Sequence, residues 1–129
     1  METNIYEFDK GIYGFEDYRR YDIFSPFDNS AFQMMEAEKD RKIGFVLVPP
    51  NYVTQEYTID VEEEDLLEIG ANGLDDVVVL AIVSFTQEEN IMSVNLKSPI
   101  ILSMTSRKGK QIILDQSHYS TRHLVEVKT

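Results

Sequence analysis

The chain has 129 residues, 43% apolar and 27% charged, which is enough for one globular core and unlike a disordered segment. It contains no cysteine, which excludes disulfide staples, thiolate metal sites and cysteine nucleophiles. The formal charge of −11 either keeps the protein in solution or attracts basic partners, and it repels nucleic acid and anionic lipid.

Ile5 to Phe8 reads as an edge strand. Gly11-Ile12-Tyr13-Gly14 is a turn, because its two glycines tolerate positive φ. Arg20 to Phe24 reads as a strand, and Ser25 to Ser30, with Pro26 inside it, breaks that strand. Ala31 to Glu36 can pair with Ile43 to Val48 across the charged loop Ala37 to Lys42. Of the two methionines Met34 and Met35, one is expected in the core and one on the surface. Pro49-Pro50 stops the next strand, since neither residue donates to a ladder.

Thr54 to Ile59 alternates and reads as a strand. One short helix is expected over Val61 to Ile69. Asp60 is its expected N-cap, Glu63 completes a capping box, and Glu62 to Asp65 favour the positive end of the dipole. Gly70 closes it as a C′ glycine. Val77 to Val83 is short, β-branched and apolar, so it is expected as a central strand buried on both faces. The run is far too short to cross a bilayer.

Ile91 to Leu96 and Pro99 to Met104 read as two more strands, Arg107 to Lys110 as a basic hairpin turn, and Gln111 to Leu114 as its return. Leu124 to Val127 reads as a last strand. Short strands at near-regular spacing predict a single mainly β domain over residues 1–129, a small antiparallel barrel or sandwich with one short helix. The N-terminus has no apolar run of the signal-peptide kind, so the expected location is the cytoplasm.

Chemistry-bearing patterns are sparse. His118 and His123 are five apart on a polar tail, without the helical i, i+4 spacing of a metal pair. Ser117, His118 and Ser120 adjoin in sequence, whereas catalytic groups converge from separate segments. The run Glu62-Glu63-Glu64-Asp65 lacks the spaced oxygens and glycine turn of a calcium loop. No phosphate loop or nucleophile elbow is present. No cofactor and no metal are expected. Charge is uneven: residues 97–129 hold six basic side chains against two acids, so the acidity belongs to the rest of the chain.

Several segments go further than composition. Gly11-Ile12-Tyr13-Gly14-Phe15-Glu16-Asp17 is similar to the Gly-Ile-Pro-Gly-Phe-Glu motif of the FliW family of flagellar assembly factors, with Tyr13 in place of the proline. Ser25-Pro26-Phe27, Val79 to Val83, Val94 to Ile100, Gly109 to Leu114 and Tyr119 to His123 resemble that family in order and spacing. The resemblance implies a cytoplasmic, non-catalytic factor with a barrel-like β fold and two protein partners. One is flagellin. The other is the carbon storage regulator CsrA, whose repression of flagellin synthesis the family relieves. Neither nucleic acid nor membrane is an expected direct partner. A small acidic hydrolase is the alternative.

The candidate surfaces follow. Glu62, Glu63, Glu64, Asp65, Asp75 and Asp76 are candidates for steering the basic regulator. Phe15, Phe27, Asn95 and Lys97 are candidates for flagellin. Each Phe either plugs an end of the barrel or touches the partner. Asn95 either satisfies a local backbone group or faces the partner.

Overall fold

The computed structural model describes residues 4–88, 90–115 and 117–126. Eight strands make one antiparallel sheet: β1 (Ile5–Glu7), β2 (Arg20–Phe24), β3 (Gln33–Ala37), β4 (Gly44–Val48), β5 (Val77–Phe85), β6 (Ile91–Ser103), β7 (Gly109–Gln111) and β8 (His123–Glu126). Strands β1 to β7 neighbour one another in chain order, and β8 pairs with β6. The sheet curls into a half-barrel, and a parallel bridge between Glu7 and Lys108 ties its first strand to the start of β7. The mainly β, antiparallel, barrel-like expectation holds.

Period-two alternation sorts the side chains onto two faces. Inside the curl lie Phe8, Tyr21, Ile23, Met35, Leu47, Leu80, Ile100 and Leu102. Phe8, Tyr21 and Phe45 meet edge-on or tilted there. Gly109 passes directly beneath the Phe8 ring, where an added Cβ would stand 2.6 Å from it, so only glycine fits. On the outer face, Val48, Ala81, Val83, Met92 and Val94 are covered by Tyr57 and its flanking coil, and Ile101 and Ile112 by Ile69. Of the two methionines, Met35 is fully buried and Met34 is half-buried beside it.

The helices differ from expectation. Among the described residues there are two, α1 (Pro50–Val53) and α2 (Glu63–Glu68), with a 3-10 turn over Leu74–Asp76. Pro50 stops β4 and then opens α1, because the missing N–H of a first-turn proline is not needed there. In α2 the N-cap is Glu62 and not Asp60, and no side chain caps it. The N–H groups of Asp65 and Leu66 both donate to the Glu62 carbonyl, which starts the helix two residues later than the capping box requires. Its other end is as expected. Gly70 sits at φ 65, and Ala71 and Gly70 donate to the carbonyls of Leu66 and Leu67 in a Schellman closure.

Three strand expectations are corrected. Thr54 to Ile59 is not a strand: Gln55 and Glu56 form a turn and the rest is coil, with Tyr57 packed into the core and no ladder partner for the segment among the described residues. Ile91 to Ser103 is one long strand interrupted by a bulge, not two strands. β5 is central, yet only Leu80, Ala81 and Val83 are fully buried. β4 pairs only with Val83, Ile82 and Ala81, and the face that carries Ile82 is open beyond that residue. The basic turn shifts as well, since Gly109 and Lys110 already belong to β7. The last strand starts at His123, and its expected end at Val127 lies outside the described residues.

Candidate protein-binding site

The bulge in β6 brings several distant segments together. Ala81 stands opposite four residues, Leu96 to Pro99, so those four lose their ladder partners. Each of their backbone groups finds another. The N–H groups of Leu96 and Lys97 donate to the Ser120 carbonyl at 3.0 and 3.2 Å. The Ser98 N–H donates to Asn95 Oδ1 at 3.0 Å, and Pro99 has no N–H. The Leu96 carbonyl accepts the Tyr57 hydroxyl at 2.7 Å and the Ser98 carbonyl accepts Gln111 Nε2 at 3.1 Å. The carbonyls of Lys97 and Pro99 accept the N–H groups of Leu114 and Ile112. Buried backbone is thus fully paired despite the broken ladder.

Beyond the bulge, β5 and β6 project past the covered core. Their inner face carries Ile82, Ser84, Ile91, Ser93 and Asn95, with Leu124 alongside on β8, and forms an open groove of about 670 Å³. Phe85 and Leu124 stand exposed at its rim. The sheet face that packs the half-barrel core therefore continues as a surface with apolar and small polar side chains, with no covering layer among the described residues.

The acidic side lies elsewhere. Glu62, Glu63 and Glu64 are exposed on the first turn of α2, and Asp75 is exposed on the 3-10 turn. Asp65 and Glu68 both bind Lys110 Nζ at 2.6 Å, and Lys10 reaches Glu68 at 3.1 Å. Hydrogen bonds from Lys110 and Lys10 hold the Glu68 carboxyl below its ordinary range. Burial works against the Lys110 charge, but hydrogen bonds to Asp65 and Glu68 outweigh it and raise the ammonium pKa. Asp76 accepts from Ser103 Oγ at 2.8 Å, from Thr105 Oγ1 at 2.8 Å and N–H at 3.0 Å, and from the Asn72 N–H at 3.2 Å. The Ser103 hydroxyl is the chief cause of its lowered pKa. Asp65 and Asp76, two of the candidates for the basic regulator, are thus held by internal partners. The basic turn is engaged too: Arg107 lies over the Tyr6 ring and Lys108 binds Asp9 at 3.2 Å.

The comparisons agree with this architecture. The family described as "FliW protein" matches residues 1–125. A Clostridium botulinum (strain Alaska E43 / Type E3) protein named flagellar assembly factor FliW is 33% identical over 118 residues, covering 92% of this chain and 84% of its own. A Symbiobacterium thermophilum protein of the same name is 32% identical over 120 residues, covering 92% and 87%. A crystal structure of the flagellar assembly factor FliW superposes with a TM-score of 0.85 at 28% identity, covering 93% of this chain and 84% of that one. The chain belongs to the FliW family.

Several of the segments that carry the FliW resemblance meet at the bulge. Tyr13, in the glycine turn, donates its N–H to Gln111 Oε1 at 3.0 Å, and Gln111 in turn holds Ser98. Asn95 and Ser120 hold the bulge from other resembling segments. The Tyr13 substitution leaves the turn intact, with Gly11 at φ 67 and Gly14 at φ 89.

The flagellin candidates separate. Asn95 lines the groove while its amide oxygen also serves the bulge. Phe15, 37% exposed, packs edge-on against Phe45 at 5.2 Å. Neither ring is among the residues that line the groove, and Phe45 packs against the inner core. Lys97 is half-buried within the bulge. Phe27 is 74% exposed and plugs nothing; it stands on the β2–β3 connection, at the opposite end of the sheet from the β5–β6 tip. Sequence reasoning overlooked Ile82, Phe85 and Leu124. Their signal was the polar alternation Ser84-Thr86 and Ser93-Asn95, which marks an uncovered face.

Proposed function

We propose that this FliW-family chain is a non-catalytic regulator of flagellar assembly that binds flagellin and the carbon storage regulator CsrA, and relieves repression of flagellin synthesis by engaging CsrA. The observation that carries the reading is the open groove on the inner face of β5 and β6, where Ile82, Ile91 and Leu124 stand among Ser84, Ser93 and Asn95. An amphipathic helix of flagellin would lay its apolar side along Ile82, Ile91 and Leu124 and bond Asn95 with its polar edge. The exposed carboxylates Glu62, Glu63, Glu64 and Asp75 favour a basic second partner at a separate surface. On this reading the protein works in the cytoplasm beside its two partners.

The test is direct. Purified chain is mixed with the flagellin and the CsrA protein of its own organism, and complexes are followed by gel filtration and calorimetry. Complexes with both partners are expected. Failure to bind either one would overturn the proposal.

A further inference from the structure

A second groove, of about 600 Å³, runs between the coil leading into α2 and the chain after β7. One wall carries Asp60 and Glu62, and the other carries Ile113 and Asp115. Ile113 is 45% exposed although Ile112 and Leu114 on either side are covered. The reason lies in the backbone. The N–H groups of Ile112 and Leu114 face inward and donate to Pro99 and Lys97, which turns Ile113 outward. No hydrogen bond of the Ile113 main chain is found among the described residues, so this extended edge is open to an added strand.

Charge decides what fits. Asp60, Glu62 and Asp115 form no ion pair among the described residues, whereas Asp65 at the end of the groove is neutralised by Lys110 at 2.6 Å. Lys110 is an internal example of the ammonium that this acidic wall accepts. Resting on the proposed binding of a basic regulator, we propose that this groove receives an extended segment of that partner, with lysine or arginine side chains alternating with apolar ones. The segment would bond the Ile113 edge, set an apolar side chain on Ile113, and direct its cations to Asp60, Glu62 and Asp115.

The probe is a fluorescent ten-residue peptide of alternating lysine and valine, beside a twin with glutamate in place of lysine, followed by anisotropy. Intact CsrA is measured in parallel. The basic peptide is expected to bind and the acidic twin is not. Asp60→Asn with Asp115→Asn is expected to weaken both the basic peptide and CsrA roughly tenfold, the equivalent of about 1.4 kcal/mol. Asp17→Asn with Asp28→Asn removes equal charge elsewhere and is expected to change affinity less than about twofold, the shift expected of charges outside the contact. Ile113→Ser is expected to weaken the peptide at high salt, where charge is screened. Melting curves confirm that each variant folds. Equal binding of both peptides, or equal losses from the two charge pairs, would overturn the groove assignment. CsrA binding that survives the groove variants would overturn it too and leave the proposed function standing. A chain that binds neither peptide nor CsrA would fail both.

Discussion

Asn95 Oδ1 accepts the Ser98 N–H at 3.0 Å, three residues ahead in the same strand, and closes the one gap that the bulge leaves in its donors. Asn95→Ala would leave that N–H half-buried and unpaired. The expected cost is about 1–3 kcal/mol, read from urea denaturation. Asn95→Asp keeps the acceptor and should recover most of it. Flagellin binding measured on the Asp variant then reports the outward side of residue 95 in a folded protein. A stable Asn95→Ala variant would mean that the bulge draws nothing from this side chain.

Two buried tyrosines make opposite predictions. The Tyr57 hydroxyl donates to the Leu96 carbonyl at 2.7 Å, while the Tyr21 hydroxyl has no partner among the described residues. Burial pushes the Tyr21 phenol up to about 12 and raises that of Tyr57 as well. Tyr57→Phe should destabilise by about 1–2 kcal/mol, because it orphans a carbonyl. Tyr21→Phe should be neutral or stabilising, because it removes a polar atom that burial leaves unsatisfied. Thermal melts of the two variants side by side decide the matter, and equal losses would contradict it.

Leu80 and Ile82 share one face of β5, yet only Leu80 lies fully beneath the half-barrel core. Leu80→Ala should cost about 2–5 kcal/mol. Ile82→Ala removes a side chain that lines the open groove and should cost clearly less. Its effect should appear instead as weaker flagellin binding. A larger stability loss at Ile82 than at Leu80 would show that the groove face is covered in solution.

Lys110 clamps α2 to β7 through Asp65 and Glu68. Lys110→Met keeps the apolar stem and removes the charge, with an expected loss near neutral pH of about 1 kcal/mol, the upper end for such pairs. The pH dependence has a definite sign. The Glu68 pKa is lowered on folding from the ordinary 4.5, so its contribution is present above that value and is lost as pH falls through the lower folded one. The Lys110 pKa is raised from 10.5, so its contribution is present below that value and is lost as pH rises through the higher folded one. Denaturation midpoints of Lys110→Met should therefore fall less steeply than those of the parent at both extremes. Parallel curves would show that the clamp contributes nothing.

Glu62, Glu63 and Glu64 remain free to act at a distance, whereas Asp76 is tied to Ser103 and Thr105. Raising salt should slow association with CsrA, and reversing the three glutamates to lysine should flatten that dependence while changing dissociation less. Asp76→Asn should lower the melting temperature and leave the association rate unchanged. Stopped-flow measurements at several salt concentrations test both halves.

Alternation, turn residues and the apolar run at Val77 to Val83 were enough to read most of the strands and a mainly antiparallel β fold, because side-chain period and chain punctuation are local properties. The Gly70 helix closure was legible for the same reason, since it needs only a glycine and the preceding turn. Asp60 misled because a capping box depends on where the first carbonyl bonds form, and tertiary packing of the Tyr57 coil set that start at Glu62. Alternation at Thr54 to Ile59 suggests a strand, but Gln55 and Glu56 turn there, and a strand also needs a neighbour, which only the folded sheet can supply or withhold. Tertiary structure likewise decided the site. It carried Asp65 to Lys110 and Asp76 to Ser103, removing two candidate acids from the surface, and packed Phe15 against Phe45. The bulge opposite Ala81 joins residues from Tyr13 to Ser120, and such long-range pairing has no signature in any single stretch of the chain.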